Sequence, residues 1–250
     1  MEGPAPVPAH PHPHSQAPAH RPAPRPPARL LVVTAVPAEC DAVTAAGLRE
    51  AGLPDADVIV AGIGPAAAAA GTATALALAE AAGKPYGLVV SAGIAGGFWP
   101  VAPVGHVTVA ETIVAADLGV ATDDGFVPVA ELGFGTSEHR PPARLSRGVA
   151  RALGAAYGPV LTVSTITGTA EGAAELTRRH PNAVAEAMEG FGVAEAAAAR
   201  GLPALEIRTV SNTVGPRDRA AWRIEDALSA LTTAFGKLPA ALEVEAGHDD

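Results

Sequence analysis

The sequence contains a single cysteine, Cys40, among 250 residues, so no internal disulfide can form and nothing indicates an oxidising compartment. Charged residues are scarce, at 17%, and the formal net charge is -9 at pH 7 because Lys and Arg are fewer than Asp and Glu. This deficit argues against nucleic acid or an anionic membrane as a partner. Gly, Pro, Glu or Arg interrupts every Ala-rich stretch before it is long enough to cross a bilayer. We therefore expect a cytoplasmic protein that binds small molecules.

Hydrophobic residues make up 48% of the chain, enough for one sizeable core. We predict a single domain over residues 29–245. Residues 1–28 are Pro, Ala and His with scattered Arg, and they predict a disordered tail because they lack helical or strand periodicity. The histidines of this tail alternate with proline, which leaves no fixed geometry for a metal. Neither a metal nor a cofactor is expected.

From Arg29 onward, short apolar runs alternate with Ala-rich helical stretches. This pattern is typical of a sheet covered by helices on both faces. We predict a three-layer α/β sandwich whose central sheet is mixed and mostly parallel. Predicted strands cover residues 30–36, 57–63, 87–92, 104–114, 160–166, 182–187 and 204–210. Predicted helices cover residues 66–82, a short segment from about 171, 189–200, and 221–245 with an interruption near 236 and 239.

Several polar side chains follow the predicted strands, where α/β sheets collect ligands. Glu39 is either a pocket carboxylate or a solvated glutamate near a helix start. Glu189 stands in the apolar segment AMEGFGVAEAAAA, where an unpartnered charge is costly. It can bind two vicinal hydroxyls without a metal, or it can be a helix-start residue favoured by the dipole. Asn212 is either a turn residue or a two-point reader of a base.

The segment GIGPAA, residues 62–67, satisfies the degenerate dinucleotide-binding fingerprint between a strand and a helix. A dehydrogenase is therefore a rival hypothesis. The fingerprint also requires an acidic residue at the end of the next strand to hold the ribose, but that strand ends in Ser91, Ala92 and Gly93. This absence weakens the dinucleotide hypothesis, and the glycines can simply turn a strand tightly into a helix.

Six segments occur in an order and spacing that resembles the purine nucleoside phosphorylase and nucleosidase superfamily, over about residues 29–242. They are TAVPAEC, VAGIGPAAAA, SAGIAGG, TGTAE, AMEGFGVA and RTVSNTVGPRD. The resemblance is greatest to the hydrolase branch, which includes the methylthioadenosine/adenosylhomocysteine nucleosidases. The stretch SNTVGPRDRAAW resembles the futalosine hydrolases in particular, enzymes of the alternative menaquinone route. Members of the superfamily self-associate, so the resemblance also implies a homo-oligomer, a dimer or higher.

The resemblance implies a role for each matching residue. Glu39 matches the glutamate that activates the attacking water, and Asn212 is the second residue expected to take part in catalysis. Met188 and Glu189 match the pair that packs on the sugar and binds its hydroxyls, and Ser211 lies with Asn212 in the base site. The other residues expected to bind substrate are Ala92, Gly93, Ile94, Thr167, Gly168, Thr169, Ala187 and Arg217.

Three positions depart from the adenine-cleaving nucleosidases. Asn212 stands where those enzymes have a proton-donating aspartate. Its amide can give NH₂ to O6 or N7 and accept a ring N–H, a pairing that suits hypoxanthine better than adenine. Ile94 replaces a serine, and Glu171 stands where a purine-facing phenylalanine is expected. Futalosine also carries an aromatic carboxylate that favours a planar cation, for which the candidates are Arg217, Arg219 and Arg223.

The resemblance therefore implies hydrolysis of futalosine to hypoxanthine and dehypoxanthine futalosine. Water is the expected nucleophile, because GIGPAAAA contains no arginine and Pro65 removes a backbone donor from a potential anion site. The alternatives are a methylthioadenosine/adenosylhomocysteine nucleosidase and a phosphate-dependent phosphorylase. A nucleoside-binding protein without catalysis is a more distant alternative, because a fold does not guarantee activity.

Overall fold

The structure is a computed structural model that describes residues 29–246; the predicted tail, residues 1–28, lies outside the described residues. The strands are β1 (Leu30–Thr34), β2 (Ala56–Val60), β3 (Leu88–Gly97), β4 (Val107–Ala115), β5 (Gly119–Thr122), β6 (Gly125–Pro128), β7 (Glu138–His139), β8 (Ala156–Thr162), β9 (Ala185–Ala187) and β10 (Ala204–Thr213). The helices are α1 (Pro37–Thr44), α2 (Pro65–Ala81), α3 (Ala143–Leu153), α4 (Ala170–Arg179), α5 (Gly190–Ala198) and α6 (Ile224–Ala246).

The main sheet is mixed and mostly parallel, as predicted. Its strands follow the order β10-β4-β8-β9-β3-β1-β2, and β7 pairs with β4. β10 also pairs with β3, so β3, β10, β4, β8 and β9 close on themselves. β10 meets β4, β3 meets β9 and β4 meets β7 in antiparallel orientation, whereas the other pairs of this sheet are parallel. β5 and β6 form a separate hairpin.

Helices cover both faces of the sheet, so the predicted three-layer arrangement is confirmed. On one face, the buried side chains of α6, including Leu231, Phe235 and Leu238, join those of α1 and α3 against β1, β3 and β10. On the other face, Ala68 and Leu76 of α2 pack with α5 against β1 and β3. Within the described chain, no helix is both long enough and apolar enough to span a membrane.

Two boundaries differ from the sequence prediction in ways that matter for the site. β3 does not end at residue 92 but continues through the glycine-rich segment to Gly97, because β9 and β10 pair with this part of it. The glycines are needed for close approach, since a Cβ on Gly97 would lie 2.1 Å from the carbonyl oxygen of Ala102. α6 runs unbroken past Gly236 and Pro239, because its buried face is held by the core.

A glycine also sets the closest approach of α2 and α5. A Cβ on Gly192 would lie 2.1 Å from the carbonyl oxygen of Pro65, a distance at which backbone must move. We expect Gly192→Ala to lower the free energy of unfolding by about 1–3 kcal/mol through overpacking. In the control Gly236→Ala, the new Cβ meets nothing closer than 3.9 Å, and stability should rise by roughly 0.5–1 kcal/mol. Urea unfolding of both variants tests this, and equal stabilities would contradict the overpacking argument.

Candidate active site

One cavity of about 370 Å³ opens where β1, β8, β9 and β10 end, above the second half of β3. It brings together Glu39, Glu189 and Asn212, the three side chains on which the sequence argument depends. Within residues 29–246, no three His, Cys, Asp or Glu side chains are grouped as a metal site. The predicted site residues that line the cavity are Glu39, Ile94, Thr167, Gly168, Ala187, Met188, Glu189, Ser211, Asn212 and Arg217.

Glu39 lies in the first turn of α1 and is held in one orientation by backbone donors. Its Oε2 accepts hydrogen bonds from the N–H groups of Ala35 (3.0 Å) and Val36 (3.4 Å). Its Oε1 accepts from the N–H of Ile94 at 2.9 Å. The residue is only 4% exposed and borders the cavity. Glu39 is therefore a pocket carboxylate and not a solvated loop glutamate.

Glu189 immediately precedes α5 and has a partner for each carboxylate oxygen. Oε1 accepts from the N–H of Gly64 at 3.2 Å, and Oε2 accepts from Nη1 of Arg208 at 3.2 Å. Gly64 adopts a φ of 90° at the start of α2, a conformation that favours glycine. The GIGPAA turn thus supplies a donor to Glu189, and these two contacts explain how a buried charge is tolerated in an apolar segment.

Arg208, on β10, is a site residue that the sequence argument missed. It is 1% exposed; its Nε donates to Oε1 of Glu206 at 2.9 Å, and its Nη2 donates to Oγ of Ser91 at 3.1 Å. Burial alone would lower the pKa of Arg208, but the carboxylates of Glu206, Glu189 and Glu39 raise it. The available signal was the alternation in ALEIRTV, which puts residues 206 and 208 on one face of a buried strand.

Glu206 is the second residue of this cluster that sequence reasoning missed. It is fully buried, and burial raises its pKa although Arg208 opposes the rise. Among the described residues, its Oε2 has no hydrogen-bond partner. A Cβ on Gly190 would lie 2.2 Å from both Glu206 oxygens, and a Cβ on Gly93 would lie 2.4 Å from Oε1 of Glu39. These two glycines therefore leave the space that the buried charges occupy.

A β-bulge in β10 sets the orientation of Asn212. The pairing of β10 with β3 shifts between Val210 and Asn212, which leaves Ser211 as the extra residue of a β-bulge, a common device near active sites. Oγ of Ser211 lies 2.8 Å from Oδ1 of Asn212 and can donate to it. Nδ2 of Asn212 donates to the carbonyl oxygen of Thr213 at 3.2 Å, which uses one of its two N–H bonds. Asn212 borders the cavity, and its second N–H is left for a ligand.

Glu186, on β9, also lines the cavity and was not predicted. Its Oε1 accepts from the backbone N–H of Thr167 at 2.8 Å, and its Oε2 accepts from the Thr167 hydroxyl at 2.5 Å. Burial raises the pKa of Glu186, while the two Thr167 hydrogen bonds oppose the rise. The carboxylate fixes the loop after β8, which carries the predicted residues Thr167 and Gly168.

Three residues predicted to bind substrate lie outside the cavity lining that the structure describes. Ala92 is buried in the core between sheet and helices, and Gly93 makes room beneath Glu39. Oγ1 of Thr169 accepts from the N–H of Gly172 at 3.0 Å and so caps α4. Ala92, Gly93 and Thr169 support the site without reaching into it, because strand pairing and helix capping use them.

Glu171, which stands where the adenine-cleaving nucleosidases have a purine-facing phenylalanine, does not line the cavity. Glu171 lies exposed in the first turn of α4, away from the cavity, because β8 ends at Thr162 and the loop after it is longer than predicted. Ile166, in that loop, borders the cavity instead.

The structure also separates the three candidate arginines. Arg217 lines the cavity, whereas Arg219 and Arg223 line a neighbouring depression of about 350 Å³. Trp222 borders both spaces. The Arg217 guanidinium lies 5.9 Å from the Trp222 ring centre, within reach of a cation–π contact. Of the three, Arg217 is placed to meet a group that extends from the cavity.

Solved structures share this fold. A methylthioadenosine/adenosylhomocysteine nucleosidase from Colwellia psychrerythraea, in complex with adenine, matches with a TM-score of 0.66 at 21% identity, over 87% of this chain and 95% of that chain. The native structure of a futalosine hydrolase of Helicobacter pylori matches with a TM-score of 0.68 at 16% identity, over 86% of this chain and 97% of that chain. At these identities the likeness shows a shared fold.

Sequence relationships are much closer. Residues 55–243 match the family model described as the phosphorylase superfamily. A futalosine hydrolase from Streptomyces coelicolor is 60% identical, over 88% of this chain and 99% of its own length. Another from Acidothermus cellulolyticus is 46% identical, over 84% of this chain and 90% of its own length. The chain therefore belongs to the phosphorylase superfamily and, within it, to the futalosine hydrolases.

Proposed function

We propose that this chain hydrolyses the N-glycosidic bond of futalosine and releases hypoxanthine and dehypoxanthine futalosine in the alternative menaquinone route. The observation that carries the proposal is the meeting of Glu39, Glu189 and Asn212 around one cavity. The 60% identity to the Streptomyces coelicolor futalosine hydrolase, over 99% of that protein, supports the same substrate.

At the sugar end, cleavage builds positive charge on the ribose, and acidic side chains stabilise it. Glu39 is the general base that takes a proton from water as the water attacks the anomeric carbon. Glu189 accepts hydrogen bonds from the ribose hydroxyls through the lone pairs that Gly64 and Arg208 leave free. Met188 borders the same space and packs on the sugar.

At the base end, cleavage delivers negative charge to the departing purine. Asn212 donates its NH₂ to O6 or N7, a hydrogen bond that strengthens as the charge arrives. Ser211 holds the other end of the amide, so the donor is oriented before substrate binds. Hypoxanthine leaves more readily than adenine, which explains why an amide suffices where the adenine-cleaving nucleosidases use an aspartate.

Beyond the ribose, the aromatic carboxylate of futalosine extends towards Arg217 and Trp222. The guanidinium offers paired donors to the carboxylate. The indole ring, which is half-buried, offers an apolar face to the aromatic ring.

Water rather than phosphate is the nucleophile. Three carboxylates, those of Glu39, Glu186 and Glu189, line the cavity and repel a phosphate dianion. The guanidinium of Arg208 is engaged by Glu189 and Glu206, and the N–H of Gly64 is used by Glu189. Arg208 and the N–H of Gly64, which could otherwise hold an anion near the sugar, are thus already occupied.

The compartment, oligomeric state and partners of the enzyme are inferred from its sequence. We infer a cytoplasmic homo-oligomer, a dimer or higher, whose catalytic unit is one domain over residues 29–245. Small purine nucleosides are its substrates, and the net charge of -9 disfavours nucleic acid and anionic membranes as partners.

The test is to incubate the protein separately with futalosine, inosine and methylthioadenosine, with and without phosphate, and to identify released bases by chromatography. We expect hypoxanthine from futalosine at a rate that phosphate does not change. Strict phosphate dependence with a sugar 1-phosphate product would instead show a phosphorylase. Preferred release of adenine from methylthioadenosine would show a nucleosidase of the other branch. Futalosine binding without any base release would show a binding protein.

A further inference from the structure

Arg208 uses each nitrogen of its guanidinium for a different partner. Nε donates to Oε1 of Glu206 at 2.9 Å, Nη1 donates to Oε2 of Glu189 at 3.2 Å, and Nη2 donates to Oγ of Ser91 at 3.1 Å. All four residues are less than a tenth exposed. Of the four, Glu189 is the one found among the described residues that line the cavity. Glu206 therefore acts on the cavity, if at all, through Arg208 and Glu189.

Strand register brings these groups together. Glu206 and Arg208 are two residues apart on β10 and so share a face of the sheet. On β3, Ser91 is the register partner of Glu206, and Gly93 is the register partner of Arg208. Because Gly93 has no side chain, the guanidinium can lie close to it, and a Cβ there would be 2.8 Å from Nη1. The acceptors for Nε and Nη2 thus belong to paired residues of adjacent strands, which fixes the plane of the guanidinium.

Charge balance does not explain Glu206. Glu189 already pairs with the Arg208 guanidinium, and the charge of Glu39 also favours its protonated form. Glu206 adds another buried acid to a cluster that has one base, and burial raises the pKa of Glu206. Its Oε2 has no hydrogen-bond partner among the described residues. A buried carboxylate in this condition contributes little net stability, so the main consequence of Glu206 is geometric.

The geometric consequence concerns how Arg208 meets Glu189. An arginine beside a carboxylate tends to pair with it through two nitrogens, because the guanidinium fork matches the two oxygens. Glu189 receives one hydrogen bond from Arg208 instead, since Glu206 takes Nε and Ser91 takes Nη2. The N–H of Gly64 bonds the other oxygen of Glu189. An ionised carboxylate has about four acceptor sites, so each oxygen of Glu189 retains acceptor capacity for a ligand.

We propose that Glu206 is a positioning residue that holds Arg208 in one-point contact with Glu189 and so keeps the remaining acceptor sites of Glu189 open for the vicinal hydroxyls of the ribose. This inference rests on the proposed function, in which Glu189 binds those hydroxyls. Without Glu206, Nε loses its acceptor, and the guanidinium turns its fork towards Glu189. The carboxylate is then bonded twice by one arginine, and its hold on the ribose weakens.

The experiment compares a nucleoside with and without its ribose hydroxyls by calorimetric titration. The probes are inosine, 2′,3′-dideoxyinosine and hypoxanthine, and every protein carries Glu39→Gln so that inosine is not cleaved during the titration. In this reference background, inosine should bind about 10- to 100-fold more tightly than dideoxyinosine, as expected for hydrogen bonds to a charged group. Glu206→Met, which keeps the length of the side chain without an acceptor, should lower this ratio at least about fivefold. Hypoxanthine affinity should stay unchanged, because the free base carries no sugar.

Two further variants separate position from charge. Glu206→Gln removes the charge and keeps an acceptor for Nε, so the ratio of inosine to dideoxyinosine affinity should stay within about threefold of the reference. Ser91→Ala frees Nη2 with a small change in volume. It should lower the ratio in the same direction as Glu206→Met, by a smaller factor, because Nε remains held by Glu206.

Thr209→Val is the matched control for a loss of stability. Thr209 is buried on β10, and its hydroxyl donates to the carbonyl oxygen of Ala227 at 2.8 Å. As the neighbour of Arg208 along the strand, it faces the opposite side of the sheet. We expect Thr209→Val to unfold at a lower urea concentration than the reference and to leave the ratio of inosine to dideoxyinosine affinity unaltered.

An unchanged ratio in Glu206→Met would overturn the proposal, and so would an unchanged ratio in Ser91→Ala if Glu206→Met does not fold. Equal losses in Glu206→Gln and Glu206→Met would also overturn it, since the charge rather than the contact with Nε would then be responsible. Equal binding of inosine and dideoxyinosine by the reference would show that Glu189 holds no hydroxyls for Glu206 to serve. Failure of the proposed function is distinguishable, because it would appear as absent hypoxanthine release from futalosine by the unaltered protein.

Discussion

Replacing Glu39 with glutamine is expected to lower kcat for hypoxanthine release from futalosine by about 10²- to 10⁴-fold. The amide cannot take a proton from the attacking water. Both Glu39 oxygens accept backbone N–H donors, so the glutamine NH₂ would also face a donor. The measurement is the steady-state rate of hypoxanthine release, together with calorimetric binding of hypoxanthine, which should change little because Glu39 acts at the sugar end.

Asp41→Asn is the matched control for this variant. Asp41 lies on the same helix, α1, but is exposed, and its neutralisation should leave kcat within about twofold, because an exposed charge outside the cavity perturbs it weakly. Activity of Glu39→Gln at the level of the control would mean that another group activates water. A complete loss of hypoxanthine binding would instead show that the substitution disturbs the whole cavity.

Replacing Arg208 with methionine is expected to lower the free energy of unfolding by about 3–5 kcal/mol, the usual cost of removing one partner from a buried ion pair. Arg208 forms ion pairs with Glu189 at 3.2 Å and with Glu206 at 2.9 Å, and each of these side chains is less than a tenth exposed. Without the guanidinium, their carboxylates remain buried without a countercharge. Urea unfolding, together with hypoxanthine release, measures the loss of stability and of activity.

Two comparisons make this prediction specific. Arg178→Met removes an exposed arginine from its ion pair with Glu175 on α4 and should change stability little. Arg208→Met combined with Glu206→Leu should recover part of the lost stability, because it no longer buries the Glu206 carboxylate without a partner. If Arg208→Met unfolds at the same urea concentration as Arg178→Met, the buried ion pairs of Arg208 do not stabilise the fold.

The buried cluster has a consequence for the chemistry at the sugar. Glu39, Glu189 and Glu206 share a single buried guanidinium, that of Arg208, so acidic side chains are in excess at the proposed sugar end of the cavity. Such fixed charge favours a transition state in which the sugar becomes positive. The arginine therefore orients Glu189 and permits the carboxylates to be buried together, without cancelling the charge that catalysis needs.

Periodicity and motif order were sufficient to predict the layers of the fold and to bring Glu39 and Glu189 to the ends of the strands. The alternation of apolar strands with Ala-rich helices predicted a mixed sheet between two helical layers. Glu39, Glu189 and Asn212 were expected at strand ends, and one cavity contains all three. These predictions succeed because burial periodicity is local, and because carboxyl ends of parallel strands converge on the same edge.

The residues that were missed depend on pairing between distant strands. Glu186 and Asn212 are placed together only because both pair with Gly96, and Arg208 reaches Glu189 across the boundary between β10 and α5. Loop length, rather than local pattern, decides which residues after β8 reach the cavity, where Ile166, Thr167 and Gly168 lie.

The sequence by itself determined the fold class, the family and the acidic character of the site, because each follows from hydrophobic periodicity or from the order of the motifs. Only the tertiary structure decided which acid faces which donor. Strand register and the bulge at Ser211 set those contacts, and register is a property of paired strands that no single segment contains.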